Sequence, residues 1–316
     1  MSTYYVGTRD GLYRIVDGTA EPVPGPSGAT VVVDGGDELY GFDTDTVYRG
    51  LTESPTPMAT PTDDPTHLRV DGEGYVVAGR DPLAVYTSDD GATWTTHRLP
   101  ELPAAERWLD GGRVVVSAAG GQVSDTLRLA DGLAVGVERT GVLLLADGEW
   151  ERRDAGLAED VHDLHRTDDT WLAATGQGLY RSTTAGRGWS RLDTGQLFQG
   201  YSYFHEFATH EGRLYTSGGR RMPGDWGDGG AEALVFQVGD GRSPLRAAPT
   251  PDPTEYTWAL TATAGERPRL YAGTATGDVD EPDTAEGVLY ERVAGSDTWT
   301  ALGRLPAPVT SVAVRA

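Results

Sequence analysis

The chain has 316 residues and a formal net charge of −22, with 48 Asp and Glu set against 26 basic residues, every one of them Arg. It contains no Lys, Asn or Cys, which excludes disulfides, thiolate chemistry, Cys-based metal sites and N-glycosylation. The acid excess argues against general nucleic-acid affinity, and no apolar run approaches the ~20 residues a membrane helix needs.

In chain order, the first readable unit is Thr3 to Ile15, TYYVGTRDGLYRI: two short apolar strands joined by a tight turn whose Gly11 tolerates positive φ. A strand at Val31 to Val33 then precedes a second such hairpin, ELYGFDTDTVYRG from Glu38. A third, GYVVAGRDPLAVYTS, starts at Gly74, and a fourth, LAVGVERTGVLLL, at Leu133. Between them Pro100 to Gln122 reads as a loop insertion holding one strand, Arg113 to Ser117. The fifth unit has a strand at Val161 to Leu164 and the hairpin TWLAATGQGLYRS at 170 to 182, which matches Thr3 to Ile15 without a gap. Two further hairpins, from Arg213 and from Arg269, carry long insertions at their turns.

Most copies are preceded by an apolar strand and followed by a fourth that carries Trp, at Trp94, Trp150, Trp189 and Trp299. Seven four-stranded units of about 45 residues make an all-β, seven-bladed β-propeller spanning residues 1 to 316 as a single domain. Eight blades is the alternative if Arg107 to Ala118 forms a blade of its own. The first unit lacks its innermost strand, and Val309 to Arg315, VTSVAVR, is expected to supply it, so that N- and C-terminal strands close the ring and remove an open edge.

Residues 87 to 94, TSDDGATW, and 182 to 189, STTAGRGW, occupy the turn between third and fourth strands. They resemble the Asp-box, S-x-D-x-G-x-T-W, of BNR-like, sialidase-type propellers. The matching positions are Thr87, Asp89, Gly91, Thr93 and Trp94 in the first copy, and Ser182, Gly186 and Trp189 in the second, where Thr184 stands in place of the Asp. In such a turn a hydroxyl and a carboxylate bond to turn N–H groups, Gly takes positive φ, and Trp packs beside it. The overall pattern also resembles a haloarchaeal propeller family, for which the resemblance implies a fold and no activity. The missing Lys and the acid excess fit a halophilic protein, because molar salt shrinks the Debye length to ~3 Å and lets a dense acidic surface persist.

Propeller strand order puts turns between second and third strands on one face with the connections between blades. Every long irregular segment falls there: Pro100 to Gln122, Leu197 to Tyr203, Gly218 to Glu232, Pro249 to Tyr256 and Thr276 to Glu286. Arg9, Arg80 and Arg139 follow the second strands of their blades, and Arg220 with Arg221 occupies the same place in the sixth. These Arg, with Asp225 and Trp226 in the sixth-blade loop, are candidate binding residues for an acidic or protein partner. Tyr201, Tyr203 and His205 are expected on one side of a channel strand, with Glu206 facing the other way.

Asp278, Asp280, Asp283 and Glu286 form an acidic loop without the EF-hand pattern, and no metal or other cofactor is expected. The sialidase-type resemblance raises an enzyme alternative, with an Arg-Ile-Pro motif and an arginine triad. Here Val16 replaces the Pro, and Arg14 falls on a third strand away from the channel. The expectation is therefore a non-enzymatic, cytoplasmic, monomeric interaction or assembly platform with a protein partner. A glycan-active hydrolase or lyase, or a small-anion binding module, is the alternative, and an acid pair in the channel within reach of three clustered Arg would favour the enzyme.

Overall fold

The computed structural model describes residues 2–52, 54–100, 108–110, 113–115, 123–130, 132–167, 169–192, 200–220, 232–239, 245–265, 267–276 and 285–315. Seven antiparallel four-stranded sheets follow one another along the chain as the blades of a β-propeller. Blade 1 contains β1 (Thr3–Thr8), β2 (Gly11–Val16) and β3 (Thr19–Ser27), and blade 2 contains β4 (Val31–Asp34), β5 (Leu39–Phe42), β6 (Val47–Arg49) and β7 (Thr56–Pro57). Blade 3 runs through β8 (Pro65–Asp71), β9 (Gly74–Arg80), β10 (Leu83–Ser88) and β11 (Thr95–Arg98).

The insertion after blade 3 holds two strands where one was expected, β12 (Trp108–Asp110) and β13 (Arg113–Val115). They pair only with each other, so this hairpin is no eighth blade. Blade 4 is β14 (Val123–Leu129), β15 (Gly132–Val137), β16 (Gly141–Ala146) and β17 (Glu149–Arg152). Blade 5 is β18 (Val161–Thr167), β19 (Thr170–Thr175), β20 (Gly178–Ser182) and β21 (Ser190–Arg191). Blade 6 is β22 (Tyr203–His210), β23 (Arg213–Gly219), β24 (Leu234–Val238) and β25 (Leu245–Ala248). Blade 7 is β26 (Tyr256–Thr263), β27 (Arg269–Ala275), β28 (Gly287–Val293) and β29 (Thr300–Leu305).

The last strand, β30 (Val309–Arg315), pairs antiparallel with β1 and becomes the innermost strand of blade 1, in the order β30-β1-β2-β3. The same order puts Arg14 on the third strand, bonded to Glu21 at 2.7 Å on the outer side of the blade.

The core lies between blades. In β16, Leu143 and Leu145 pack toward blade 3 while Val142 and Leu144 pack toward blade 5. A middle strand covered on both faces has no solvent side, which is why GVLLLA is a continuous apolar run. Gly on the second strand lets the next blade approach: a Cβ on Gly273 would lie 2.2 Å from Val309, and one on Gly136 would lie 2.9 Å from Val161. At the rim, indole N–H groups staple blades together. Trp94 donates to Ala59 O at 3.0 Å, Trp150 to Arg98 O at 2.8 Å, Trp189 to Arg153 O at 2.7 Å and Trp299 to Pro249 O at 2.8 Å.

The turn at 87 to 94 is built one residue later than the sequence match places it. Asp90 accepts the N–H groups of Ala92 and Thr93 at 2.8 and 2.7 Å, and Ser88 Oγ accepts Gly91 N–H at 2.8 Å. Thr87 is still in β10, opposite Thr95, with its hydroxyl 3.0 Å from His97, and Asp89 makes none of these turn bonds. The two N–H donors hold the Asp90 carboxyl below its ordinary range. In the second copy Ser182 Oγ accepts Gly186 N–H at 3.0 Å, and Gly91 and Gly186 both have positive φ, 71° and 79°.

Candidate functional site

The innermost strands β4, β8, β14, β18, β22, β26 and β30 enclose a central cavity of about 470 Å³. Its lining follows from a bulge in most of them. The ladder shifts between Pro65 and His67, Val123 and Asp125, Val161 and Asp163, Phe204 and Phe207, and Thr257 and Ala259. A bulge turns two consecutive side chains toward the same side and frees backbone groups from the ladder. Side chains of the preceding blade satisfy those groups. Asp125 accepts Leu164 N–H at 3.0 Å, Asp163 accepts Phe207 N–H at 2.6 Å and Glu206 accepts Leu260 N–H at 2.7 Å. In the opposite sense, Ser124 donates to Val161 O at 2.6 Å, and the ring nitrogens of His162 and His205 lie 2.6 and 3.0 Å from Phe204 O and Trp258 O.

Three half-buried carboxyl groups from successive blades are thereby brought to one cavity. Burial raises Asp163 well above the usual carboxylate range, and its neighbours Asp125 and Glu206 raise it further. Burial likewise pushes Glu206 up to about 8, opposed by the Leu260 N–H. Burial drives His205 down to about 3, helped by the adjacent His162. Burial pulls His162 down most strongly, but the Asp160 carboxylate 3.4 Å from Nε2, the Phe204 carbonyl and Glu138 together outweigh it and the net shift is upward.

Of the candidates read from sequence, Arg9 reaches this cavity, with its guanidinium 5.8 Å from the centre of the Trp258 ring. Arg80 is the last residue of β9 and Arg139 sits in the turn after β15, and neither lines it. Arg220 is held by Glu232 at 2.8 Å and lies over the Tyr201 ring at 5.6 Å. Arg221, Asp225 and Trp226 lie outside the described residues, as do Asp278, Asp280 and Asp283.

The expected alternation along YSYFHEF does not hold. His205 and Glu206 both line the cavity because the bulge places them consecutively on its side. Tyr201 instead packs edge-on to Phe236 between blades 5 and 6, and Tyr203 is buried against Tyr256, His162 and Trp258.

A second cavity of about 620 Å³ crosses the far ends of β8, β14 and β18, on the face opposite the inter-blade connections. Arg69, Arg128, Arg166 and His165 line it together with Asp125 and Asp163. None of these Arg is among the candidates above. Arg69 stands at a different offset from the bulge than Arg128 and Arg166, so no repeated motif marks them. Among the described residues no group of His, Asp and Glu is arranged to hold a metal ion, and no helix is long and apolar enough to cross a membrane.

No protein-family model matches the sequence, and none of the curated proteins is significantly similar to it. Among solved structures, the chain is similar to a protein from Lactobacillus plantarum, at 13% identity and a TM-score of 0.58 with 100% of each chain covered. It is also similar to a streptogramin B lyase, at 10% identity and a TM-score of 0.58 over 99% of this chain and 98% of that one. A third likeness is to the extracellular domain of a putative one-component system from B. thetaiotaomicron, at 15% identity and a TM-score of 0.56 over 86% of this chain. The chain spans only 36% of that protein's own length. At such identities the likeness carries the fold alone, and that fold is a β-propeller, here with seven four-stranded blades.

Proposed function

We propose that this propeller is a non-enzymatic interaction or assembly platform working through the face that carries the inter-blade connections. The observation behind the reading is topological. The connections from β11 to β14, β21 to β22 and β25 to β26, and the turns from β23 to β24 and β27 to β28, are the long departures from a compact blade, and all open on that face. Binding residues commonly sit on loops held by a rigid scaffold. The same reading takes the chain as a cytoplasmic, salt-adapted monomer of the Asp-box class. Support comes from the all-Arg cation set and from the turn built by Ser88, Asp90 and Gly91.

Affinity capture in high salt, wild type against the double variant Arg220→Ala/Trp226→Ala, tests it. A discrete partner should be captured by the wild type and lost from the variant; recovery of the same proteins by both sinks the reading.

A glycan-active hydrolase or lyase is the second reading, favoured by the acid pair Asp125 and Asp163 sharing a cavity with three Arg. Against it, each of those carboxylates spends an oxygen on a neighbouring blade's backbone N–H. Release of the leaving group from aryl glycosides by the wild type, lost in Asp163→Asn, would replace the platform with this reading.

A further inference from the structure

The cavity on the opposite face gathers three Arg, beside Asp125 and Asp163, in a chain of net charge −22. Its geometry is convergent. Arg69 Nε donates to Asp71 Oδ2 at 2.8 Å, while Arg128 Nε approaches Oδ1 of the same carboxylate at 3.3 Å. A single acid thus holds two guanidinium groups from adjacent blades side by side. Arg69 adds a bond to Thr126 O at 2.9 Å and Arg128 one to Tyr75 O at 3.4 Å, which fixes each across a blade junction. A guanidinium has five N–H donors, and these bonds occupy a minority of them. Arg128 Nε itself is buried with no hydrogen-bond partner of good geometry. Arg166 brings a third guanidinium from blade 5, and His165 a ring nitrogen.

Three forks approaching from three strands suit an anion that offers oxygens in several directions. A flat carboxylate is satisfied by one bidentate fork, whereas a phosphate monoester presents three oxygens. The cavity is far larger than a bare phosphate and falls in the range of small-molecule sites, and Leu127, Leu164 and Phe207 give it an apolar wall. We propose that it binds a small phosphorylated metabolite, with the phosphate monoester held by Arg69, Arg128 and Arg166 and the organic body against Leu127, Leu164 and Phe207. The site is separate from the platform face, so either reading stands without the other.

Calorimetric titration at low ionic strength with glucose 6-phosphate, inorganic phosphate, glucose and citrate tests the assignment. Glucose 6-phosphate should bind, inorganic phosphate should bind more weakly, and glucose should not bind. Arg166→Gln and Arg128→Gln should each weaken glucose 6-phosphate about tenfold or more, as expected for losing a charge-assisted contact. Arg166→Lys, which keeps the charge and loses the fork, should fall between. Each variant should keep a cooperative thermal transition, and the Arg220→Ala/Trp226→Ala variant should bind normally. The proposal is overturned if neither phosphate compound binds the wild type, if the Arg variants bind as well as it does, or if citrate binds more tightly than glucose 6-phosphate.

Discussion

Glu206 holds the backbone N–H of Leu260 with one carboxyl oxygen, yet burial carries its pKa from the ordinary 4.5 to about 8. Between those values the folded chain keeps a proton that the unfolded chain releases, so the group's contribution to stability is full below 4.5 and is lost as pH rises through 8. His205, held near 3, acts with the opposite sign, but only below its ordinary 6.5. Above 6.5 the carboxyl contribution stands, joined in the same direction by Asp163 and by His162, whose folded pKa is raised. Urea unfolding should therefore show the wild type losing roughly 2 kcal/mol from Glu206 alone between pH 6.5 and 8, at about 1.4 kcal/mol per pH unit. Glu206→Gln keeps an acceptor for Leu260 N–H and should flatten that slope; parallel pH profiles for the two proteins would refute the assignment. Little of this was legible beforehand. Alternation along YSYFHEF points Glu206 away from His205, and only the bulge, which arises from strand pairing, puts both in the cavity. The doublets Thr87-Ser88 and Asp89-Asp90 likewise offer two registers for one turn, and hydrogen bonding selects the later one.

At the scale of the blade, the recurring hairpin was readable because each copy repeats two strands around a tight turn, and the Trp near each fourth strand could be placed. What that Trp touches was not readable, since its partner belongs to the preceding blade, 35 to 52 residues away. Blades are joined mainly by apolar packing, which is tolerant of sliding, so a directional bond at the rim fixes how far one sheet rotates on the next. Trp189 is the most buried of the four, at 6% exposure, and its bond to Arg153 O is the shortest. Trp189→Phe keeps an aromatic ring and deletes the donor, leaving the buried carbonyl unsatisfied. Denaturant unfolding should show a loss of about 1–3 kcal/mol. Trp94→Phe removes the same kind of bond where it is open to solvent and should cost less. Equal costs would mean that ring packing, and not the N–H, decides the contribution.

Ring closure belongs to the whole molecule, because it joins elements about 300 residues apart and determines whether any sheet has an exposed inner edge. VTSVAVR could be assigned to this role from its likeness to the strand at Val161 and from the missing inner strand of the first unit. β30 takes that place, with Tyr5 opposite Ala313 and Val6 opposite Val312. Its Val309 and Val312 pack with Val6, Ile15, Tyr271 and Leu289, so the strand seals blade 7 against blade 1 as well as completing blade 1. Ser311 reaches further, accepting Val32 N–H from blade 2 at 2.7 Å. Deleting residues 309–315 would therefore strip β1 of its ladder partner, uncover a cluster of large apolar side chains and leave an unpaired edge facing an open channel, conditions that favour association between chains. The truncated chain should elute as aggregate in size-exclusion chromatography and lose its cooperative thermal transition, and a peptide spanning 308–315 added during refolding should restore part of it. Replacing residues 221–231 with a short Gly-Ser link removes a longer segment yet keeps every residue named above as a partner of β30, so its unfolding midpoint should stay within a few degrees of the wild type. A monomeric, cooperatively folding truncation would show that the seven blades hold together without the clasp.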